Sequence, residues 1–244
     1  NIADLPEEDF PEGKKKIDVT SFSQGSEHVD RDSLRSFLDR LKYPLYYLDY
    51  ETIGPAIPLF DGTKAYDKIP FQFSLHVQKE QCGKLVHFGY LHKTTEDPRR
   101  FVARALIDLC GDEGSVVVYN QSFEENCNNK MAAALPEYKE GLLQINDRMI
   151  DLLMPFRNRW LYHPSQAGSA SIKSVLPAFS SLSYDSMSIA DGAEASIQYQ
   201  SFMEGKLNEA ELEPLWLNLS KYCALDTKAM AELIAVLINR CAKD

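Results

Sequence analysis

An aspartate and a glutamate stand one residue apart in the stretch YPLYYLDYETIGP, as Asp49 and Glu51, at the end of an apolar segment. Strand side chains alternate, so Leu45, Tyr47, Asp49 and Glu51 share one face, while Tyr46, Leu48 and Tyr50 share the other. Two carboxylates this close repel each other unless a cation lies between them. Oxygen-rich clusters of this type bind Mg²⁺ or Mn²⁺. The competing reading is a solvated strand end on which the charges are harmless.

Two more stretches carry acids in positions that matter. In VVVYNQSFEENC, Ser122 and Glu125 have the spacing of a capping box, which predicts a helix starting directly after a strand with Glu124 in its first turn. There Glu124 either serves a site or only answers the helix dipole. In KYCALDTKAMAEL, residues Tyr222, Leu225, Asp226, Ala229, Leu233, Val236 and Leu237 fall on one helical stripe. An ionised acid beside an apolar face is costly unless it is paired or binds a metal. Tyr222 lies one turn before Asp226 and neighbours it. The plain alternative is an edge-of-stripe Asp paired with Lys or Arg, beside a core tyrosine.

These acids need elements to hold them. The segments LYYLDYE, PFQFSLHVQK, KLVHFGYLH and SVVVYN read as strands, the second and third as a pair around EQCG. DRDSLRSFLDRL has the periodicity of an amphipathic helix, through Leu34, Phe37, Leu38 and Leu41. DPRRFVARALIDLCG is a helix with Pro at its start and Gly at its end. SFEENCNNKMAAAL, MIDLLMPF, SASIKSVLPAF and LSKYCALDTKAMAELIAVLINRC are expected helices, and residues 180–210 hold helix in parts. Three strands, a helix, a strand and then mostly helices make an α/β layout, its sheet antiparallel at first and then joined by a crossover strand. Residues 1–30, polar and carrying EGKKK, are expected to form an arm or linker, and residues 31–244 the domain.

With 44% apolar and 11% aromatic residues the chain can fill a core, and no apolar run is long enough to span a membrane. The N-terminus lacks the apolar segment of a signal peptide. It also lacks an initiating Met, so a piece of a longer protein, with a further domain as a partner, is expected. Five scattered cysteines without a C-x-x-C pair point to reduced thiols and a cytoplasmic setting. The five histidines have no metal-binding spacing. A net charge of −10 argues against a protein that coats nucleic acid over a broad surface.

Together the motifs resemble those of the DEDD 3′–5′ exonucleases, in their tyrosine-bearing form. D-x-E-T resembles the first motif, YNQSFE the second (N-x-x-F-D) and YCALD the third (Y-x-x-x-D). More narrowly, YPLYYLDYETIGPAIPLF, IPFQFSLH, VVYNQSFE, GSASIKSVLPAF and YCALDTKAM resemble an uncharacterised bacterial domain family placed near those exonucleases. The resemblance implies an RNase H-like fold, an exonuclease-type mixed sheet of about five strands flanked by helices. It implies metal-dependent hydrolysis of phosphodiester bonds from the 3′ end of single-stranded nucleic acid. Asp49, Glu51, Glu124 and Asp226 would hold two Mg²⁺ or Mn²⁺ ions about 3.5–4 Å apart, with Asp49 bridging them and Tyr222 orienting or helping to deprotonate the attacking water. The second motif departs from the pattern in carrying Glu124 where the exonucleases carry Asp.

By the same resemblance Thr52 and Ile53 touch the terminal nucleotide, and Asn120 and Phe123 belong to the substrate side, Phe123 by stacking or by packing. GSASIK resembles an S-L-K helix start, in which Ser171 is a substrate contact or an N-cap and Lys173 faces phosphate or solvent. Asp151 in MIDLL is read as a cap or an auxiliary acid. RNRW, with Arg157, Arg159 and Trp160, is either a surface for single strands or a solvated helix end. The acidic chain implies short substrates, or a partner domain that grips the rest. Two other functions remain open: a degenerate exonuclease-fold module that binds nucleic acid or protein without catalysis, and a phosphodiesterase acting on small nucleotides.

Overall fold

In the computed structural model, the residues described are 12–185, 187–189 and 191–242. Their elements run α1 (Lys14–Gln24), β1 (His28–Val29), α2 (Arg31–Leu38), β2 (Leu45–Ile53), β3 (Ile69–Gln78), β4 (Leu85–Leu91) and α3 (Arg99–Cys110). Next come β5 (Ser115–Val118), α4 (Gln121–Ala134), α5 (Lys139–Asp147), β6 (Met149–Asp151), α6 (Leu153–Arg157), β7 (Leu161–Tyr162), α7 (Ile172–Phe179), α8 (Gly192–Met203) and α9 (Glu209–Ala242). No described helix is long and apolar enough to cross a membrane. The chain divides into two units. One is drawn from the residues up to Leu41, Asp151–Ser183 and the chain from Ala229 onward; the other comprises Lys42–Ile150 and Tyr184–Lys228.

The larger unit is built on a five-stranded mixed sheet in the order β4-β3-β2-β5-β6. β2 pairs antiparallel with β3, and β3 with β4, while β5 runs parallel to β2. This is the expected antiparallel start followed by a crossover. Gly114, at φ +79°, leads into β5, and a Cβ there would run into the Pro44 carbonyl. Glycine thus lets β5 come alongside β2.

β2 is buried on both faces, as a central strand must be. Tyr46, Leu48 and Tyr50 join Phe73, Leu75, Val116 and Val118 in a core covered by Val102, Ala103 and Leu106 of α3, Cys127 and Met131 of α4, and Leu142 and Ile145 of α5. The opposite face is partly polar. Cross-strand register sets Tyr47 beside His76, Asp49 beside Ser74 and Glu51 beside Gln72. A register shift between Glu51 and Thr52 then turns the strand ends toward a second core. There Ile53, Ile69 and Phe71 pack with Tyr199 of α8 and with Trp216, Leu219 and Tyr222 of α9, and the Phe71 and Tyr199 rings stack at 3.7 Å.

The smaller unit contains a two-stranded antiparallel pair, β1 with β7, and the Asp30 carboxylate caps α2 through Ser33 N at 3.1 Å. Part of the stretch expected to be an unstructured arm is therefore α1 and β1; residues 1–11 lie outside the described residues. α1 is anchored by Asp18, whose carboxylate accepts from Arg159 Nε at 2.6 Å. Arg159 is almost fully buried and also donates to the Phe156 and Gly168 carbonyls. It is neither a solvated charge nor a surface for single strands. Arg157 is exposed, and the half-buried Trp160 ring tilts against Phe37.

Two local expectations are corrected. MIDLLMPF was expected to be one helix, but it forms β6 followed by the short α6, because Met149 and Ile150 complete the edge of the sheet. The capping box at Ser122 and Glu125 does not form. Asn120 takes the N-cap position in a left-handed conformation, Ser122 Oγ donates to its side chain at 3.0 Å, and Glu125 accepts from Gln121.

Candidate functional site

The polar face of β2 is closed by one stripe of α9. Leu219, Cys223 and Thr227 stand four residues apart and so face the same way. Each makes a polar tie to the sheet. The Leu219 carbonyl accepts from Gln72 Nε2 at 3.0 Å, and the Cys223 thiol donates to Asp49 Oδ2 at 3.6 Å. Thr227 Oγ1 lies 2.7 Å from both Ser74 Oγ and His76 Nδ1. Three successive turns are thus held in register with three alternate residue pairs of the β2–β3 ladder, those on one face. This places Tyr222 and Asp226, one residue before each of the last two ties, beside Asp49 and Glu51.

Asp49, Glu51 and Cys223 each bring a possible ligand atom, and these atoms lie within 4.8 Å of one another. Glu124 and Asp226 are outside that tight group. Asp226 is buried and its Oδ1 accepts from the Tyr184 hydroxyl at 2.6 Å. Glu124 is buried in the first turn of α4, whose position against β2 is set one turn further on, where Tyr50 Oη donates to Asn128 Oδ1 at 2.6 Å. The Cys127 thiol is pushed up by burial first and then by Glu124, with Asp49 adding to it, so both acids reach the same point electrostatically.

Burial of three carboxylates, Glu51, Glu124 and Asp226, around a half-buried Asp49 concentrates negative charge away from water. Its effect is visible on the neutral neighbours. Burial and then Asp226 and Glu51 push the Tyr222 phenol far up. Burial and then Asp226 do the same to Tyr184. The Cys223 thiol is raised by burial, then by Asp49, Glu51 and Asp226. Without a cation all three groups keep their protons, and Tyr184 and Cys223 donate them to Asp226 and Asp49. The N-terminal turn of α8 closes another side, where a Cβ added to Gly192 would lie 3.5 Å from Glu51 Oε2.

The remaining predicted residues separate clearly. Thr52 is buried at the bulge after Glu51, and Ile53 is fully buried in the second core, where its side chain offers no surface to a nucleotide. Asn120 starts α4, and Phe123 packs against the first core. Ser171 and Lys173 belong to the smaller unit. Ser171 occupies the N-cap position of α7 without a capping hydrogen bond from its side chain. Asp151 is a local cap, accepting from Leu153 N at 2.9 Å.

Cys223 and Tyr184 were not singled out from the sequence. Cys223 sits inside the third motif itself, and its distance of four residues from both Leu219 and Thr227 was the available signal. Tyr184 falls in a stretch without periodicity.

Residues 46–171, more than half of the chain, match the model of a domain of unknown function, DUF2779. The chain belongs to this family. The DUF2779 match begins in β2 and ends at the start of α7, so it contains Asp49, Glu51 and Glu124, while Tyr222, Cys223 and Asp226 lie beyond it. The chain is 30% identical over 216 residues to the uncharacterised protein MG366 of Mycoplasma genitalium, covering 80% of this chain and 32% of that protein. It is 30% identical over 219 residues to the MG366 homologue of Mycoplasma pneumoniae, covering 82% and 33%. It is 25% identical over 213 residues to the uncharacterised protein UU173 of Ureaplasma parvum, covering 78% and 31%. This DUF2779 chain thus spans about a third of the length of these relatives. No solved structure matches it.

Proposed function

We propose that the protein is a metal-dependent 3′–5′ exonuclease of single-stranded nucleic acid, with an RNase H-like fold of the DEDD type. The observation that carries this reading is the convergence of β2 and α9 on one group of ligand atoms, Asp49, Glu51 and Cys223 within 4.8 Å, with Glu124 and Asp226 buried nearby. Like charges buried together need a cation, and a set dominated by carboxylate oxygens suits Mg²⁺ or Mn²⁺. The donor set therefore fits the group that the resemblance implies. Asp49, Glu51, Glu124 and Asp226 would hold it. Bound there, divalent metal supplies charge neutralisation and acidifies water at the scissile phosphate.

The chain's own groups divide the remaining work. Tyr222, whose phenol is held protonated by burial and then by Asp226 and Glu51 when no cation is bound, is placed to orient the attacking water or a phosphate oxygen as a donor. Tyr184 holds Asp226 in one rotamer through its hydroxyl. The thiol of Cys223 does the same for Asp49. Water adds to phosphorus, the bond to the 3′ oxygen breaks, and that oxygen leaves as a hydroxyl.

One observation favours the second reading, a non-catalytic binding module: Asp226, an acid that hydrolysis requires, already has one oxygen engaged by Tyr184. A gel assay separates the two. Single-stranded DNA and RNA labelled at either end are incubated with Mn²⁺, Mg²⁺ or EDTA, using wild type and Asp226→Asn. A ladder shortening from the 3′ end, in wild type with metal alone, is the expected result. No cleavage by folded wild type in any metal would sink the exonuclease reading.

A further inference from the structure

Beside the acid site, within the same unit, the loop from Gly54 to Lys68 and the helices α3 and α4 enclose a cleft of about 460 Å³. Four of its lining residues are cations, Lys64, Lys68, Arg99 and Lys130, against two acids, Asp61 and Asp67. In a chain of net charge −10 this is a local reversal of sign. The two acids do not cancel it. Asp67 accepts from Lys130 Nζ at 2.9 Å and from the Lys64 backbone N at 2.7 Å, so it is used in shaping the loop. Arg99 pairs with Asp97 and donates to the Asp61 carbonyl at 3.0 Å. Among the described residues the ammonium groups of Lys64 and Lys68 have no carboxylate within salt-bridge distance.

The cleft is linked to the candidate site along the chain. β2 leaves the acids through Thr52 and Ile53 and reaches Gly54, where a Cβ would lie 3.3 Å from Lys68 Nζ. Cys127 feels both sets of charges: burial and then Glu124 raise its thiol, while Lys130 and Lys68 oppose that rise. On the same loop, two residues before Lys68, Tyr66 is 71% exposed and held at φ +63°. Its amide donates to the Pro55 carbonyl at 2.9 Å, which fixes the backbone while leaving the ring in water. Exposed aromatics next to unpaired cations are the elements from which single-strand grooves are built.

We infer that this cleft is the backbone-binding subsite, in which Lys64 and Lys68 hold phosphates of a single strand, while Tyr66, on the same loop but outside the cleft's lining, stacks on one of its bases. The inference rests on the exonuclease reading for its substrate class, but its test does not depend on cleavage. It also reconciles an acidic protein with an anionic substrate: the grip is confined to one cleft, which suits a short strand.

The test is equilibrium binding of a fluorescein-labelled single strand of about ten nucleotides, as DNA and as RNA, to the full chain in EDTA, read by anisotropy. Three proteins are compared: wild type, Lys64→Ala/Lys68→Ala, and Lys79→Ala/Lys84→Ala. The last pair is exposed on the β3–β4 hairpin and removes the same charge elsewhere. The cleft variant is expected to bind about tenfold more weakly near 50 mM salt, with a salt slope shallower by about 1.4 for two lost phosphate contacts. The hairpin variant is expected to match wild type. Tyr66→Ala is expected to weaken binding without changing the slope. Wild type that does not bind, or equal losses in the two lysine pairs, would overturn the cleft. Binding that obeys these expectations without any cleavage in metal would leave the cleft standing and remove the exonuclease reading instead.

Discussion

Replacing Asp49 by Asn tests in one protein whether the acids on β2 are built for a cation. The ligand atoms of Asp49, Glu51 and Cys223 lie within 4.8 Å of one another. At that separation two carboxylates repel by about 3.5 kcal/mol at an effective dielectric constant of 20. Asp49 is half-buried, so solvent screening reduces this, and about 1 kcal/mol is the expected relief on neutralisation. Asn keeps the size of the side chain and an oxygen to accept from Cys223. In EDTA, Asp49→Asn is therefore expected to be more stable than wild type by about 1 kcal/mol, read as a higher urea midpoint at unchanged slope. With Mn²⁺ at about a hundred times its dissociation constant, wild type is expected to gain about 2.7 kcal/mol and the variant much less. The order of stabilities then reverses between the two conditions. A variant less stable than wild type in EDTA, or an equal gain from Mn²⁺ in both proteins, would refute the reasoning.

Other perturbations reach the parts that position the site. Thr227→Val removes two buried contacts at 2.7 Å and leaves Ser74 and His76 without that partner, so a loss of about 2–3 kcal/mol is expected in urea unfolding; a midpoint equal to wild type would remove the tie from the account. His76 is lowered to about 4 by burial first, then by His87 and Lys228. Its folded value lies below its unfolded value, so its contribution is full above about pH 6.5 and is lost as pH falls toward 4; after discounting for screening this is on the order of 2 kcal/mol. Unfolding at fixed temperature between those limits, compared with His76→Gln, checks it, since the variant is expected to lose that part of the acid sensitivity. On the exonuclease reading, Tyr222→Phe is expected to slow cleavage about tenfold to a hundredfold through loss of the orienting hydroxyl; an unchanged rate would remove Tyr222 from the account. Arg159→Ala uncovers Asp18 and the Phe156 and Gly168 carbonyls in the smaller unit and is expected to cost about 3–5 kcal/mol, seen as a lowered Tm.

The elements legible in the sequence are those whose local pattern and tertiary role agree. β2, β3, β4 and β5 all form where alternation or β-branched runs announce them, and α3 ends at Gly111 as its Pro and Gly punctuation implies. The elements that were missed draw their stability from elsewhere. α1 has almost no amphipathic pattern, and its anchors are Asp18 to Arg159 and Lys14 to Asn158, partners more than a hundred residues away. β6 is three residues long, too short for periodicity to separate strand from helix. At α4 the spacing of a capping box was present, but Asn120 tolerates the left-handed conformation and moves the helix start two residues back.

The acids of the candidate site were legible for a related reason, and the limits of that reading are instructive. Asp49 and Glu51 follow from strand alternation, and Asp226 from a helical stripe, so each could be placed on a face. Which faces meet is decided by ties that no local pattern contains: Gln72 to Leu219, Cys223 to Asp49, and Thr227 to Ser74 and His76. Those ties also explain how a protein tolerates buried like charges. Three neutral groups near the acids, Tyr184, Tyr222 and Cys223, are held in their protonated forms, and Tyr184 and Cys223 donate to Asp226 and Asp49. In the proposed metal site these donors offset part of the repulsion among the acids when no cation is bound, and one of them, Tyr184, engages Asp226. Tyr184→Phe should therefore separate the two roles of that bond. If it merely stabilises the buried Asp226 carboxylate for folding, the variant is less stable in EDTA and recovers in Mn²⁺. If it positions Asp226 for the reaction, stability in Mn²⁺ recovers while the rate does not.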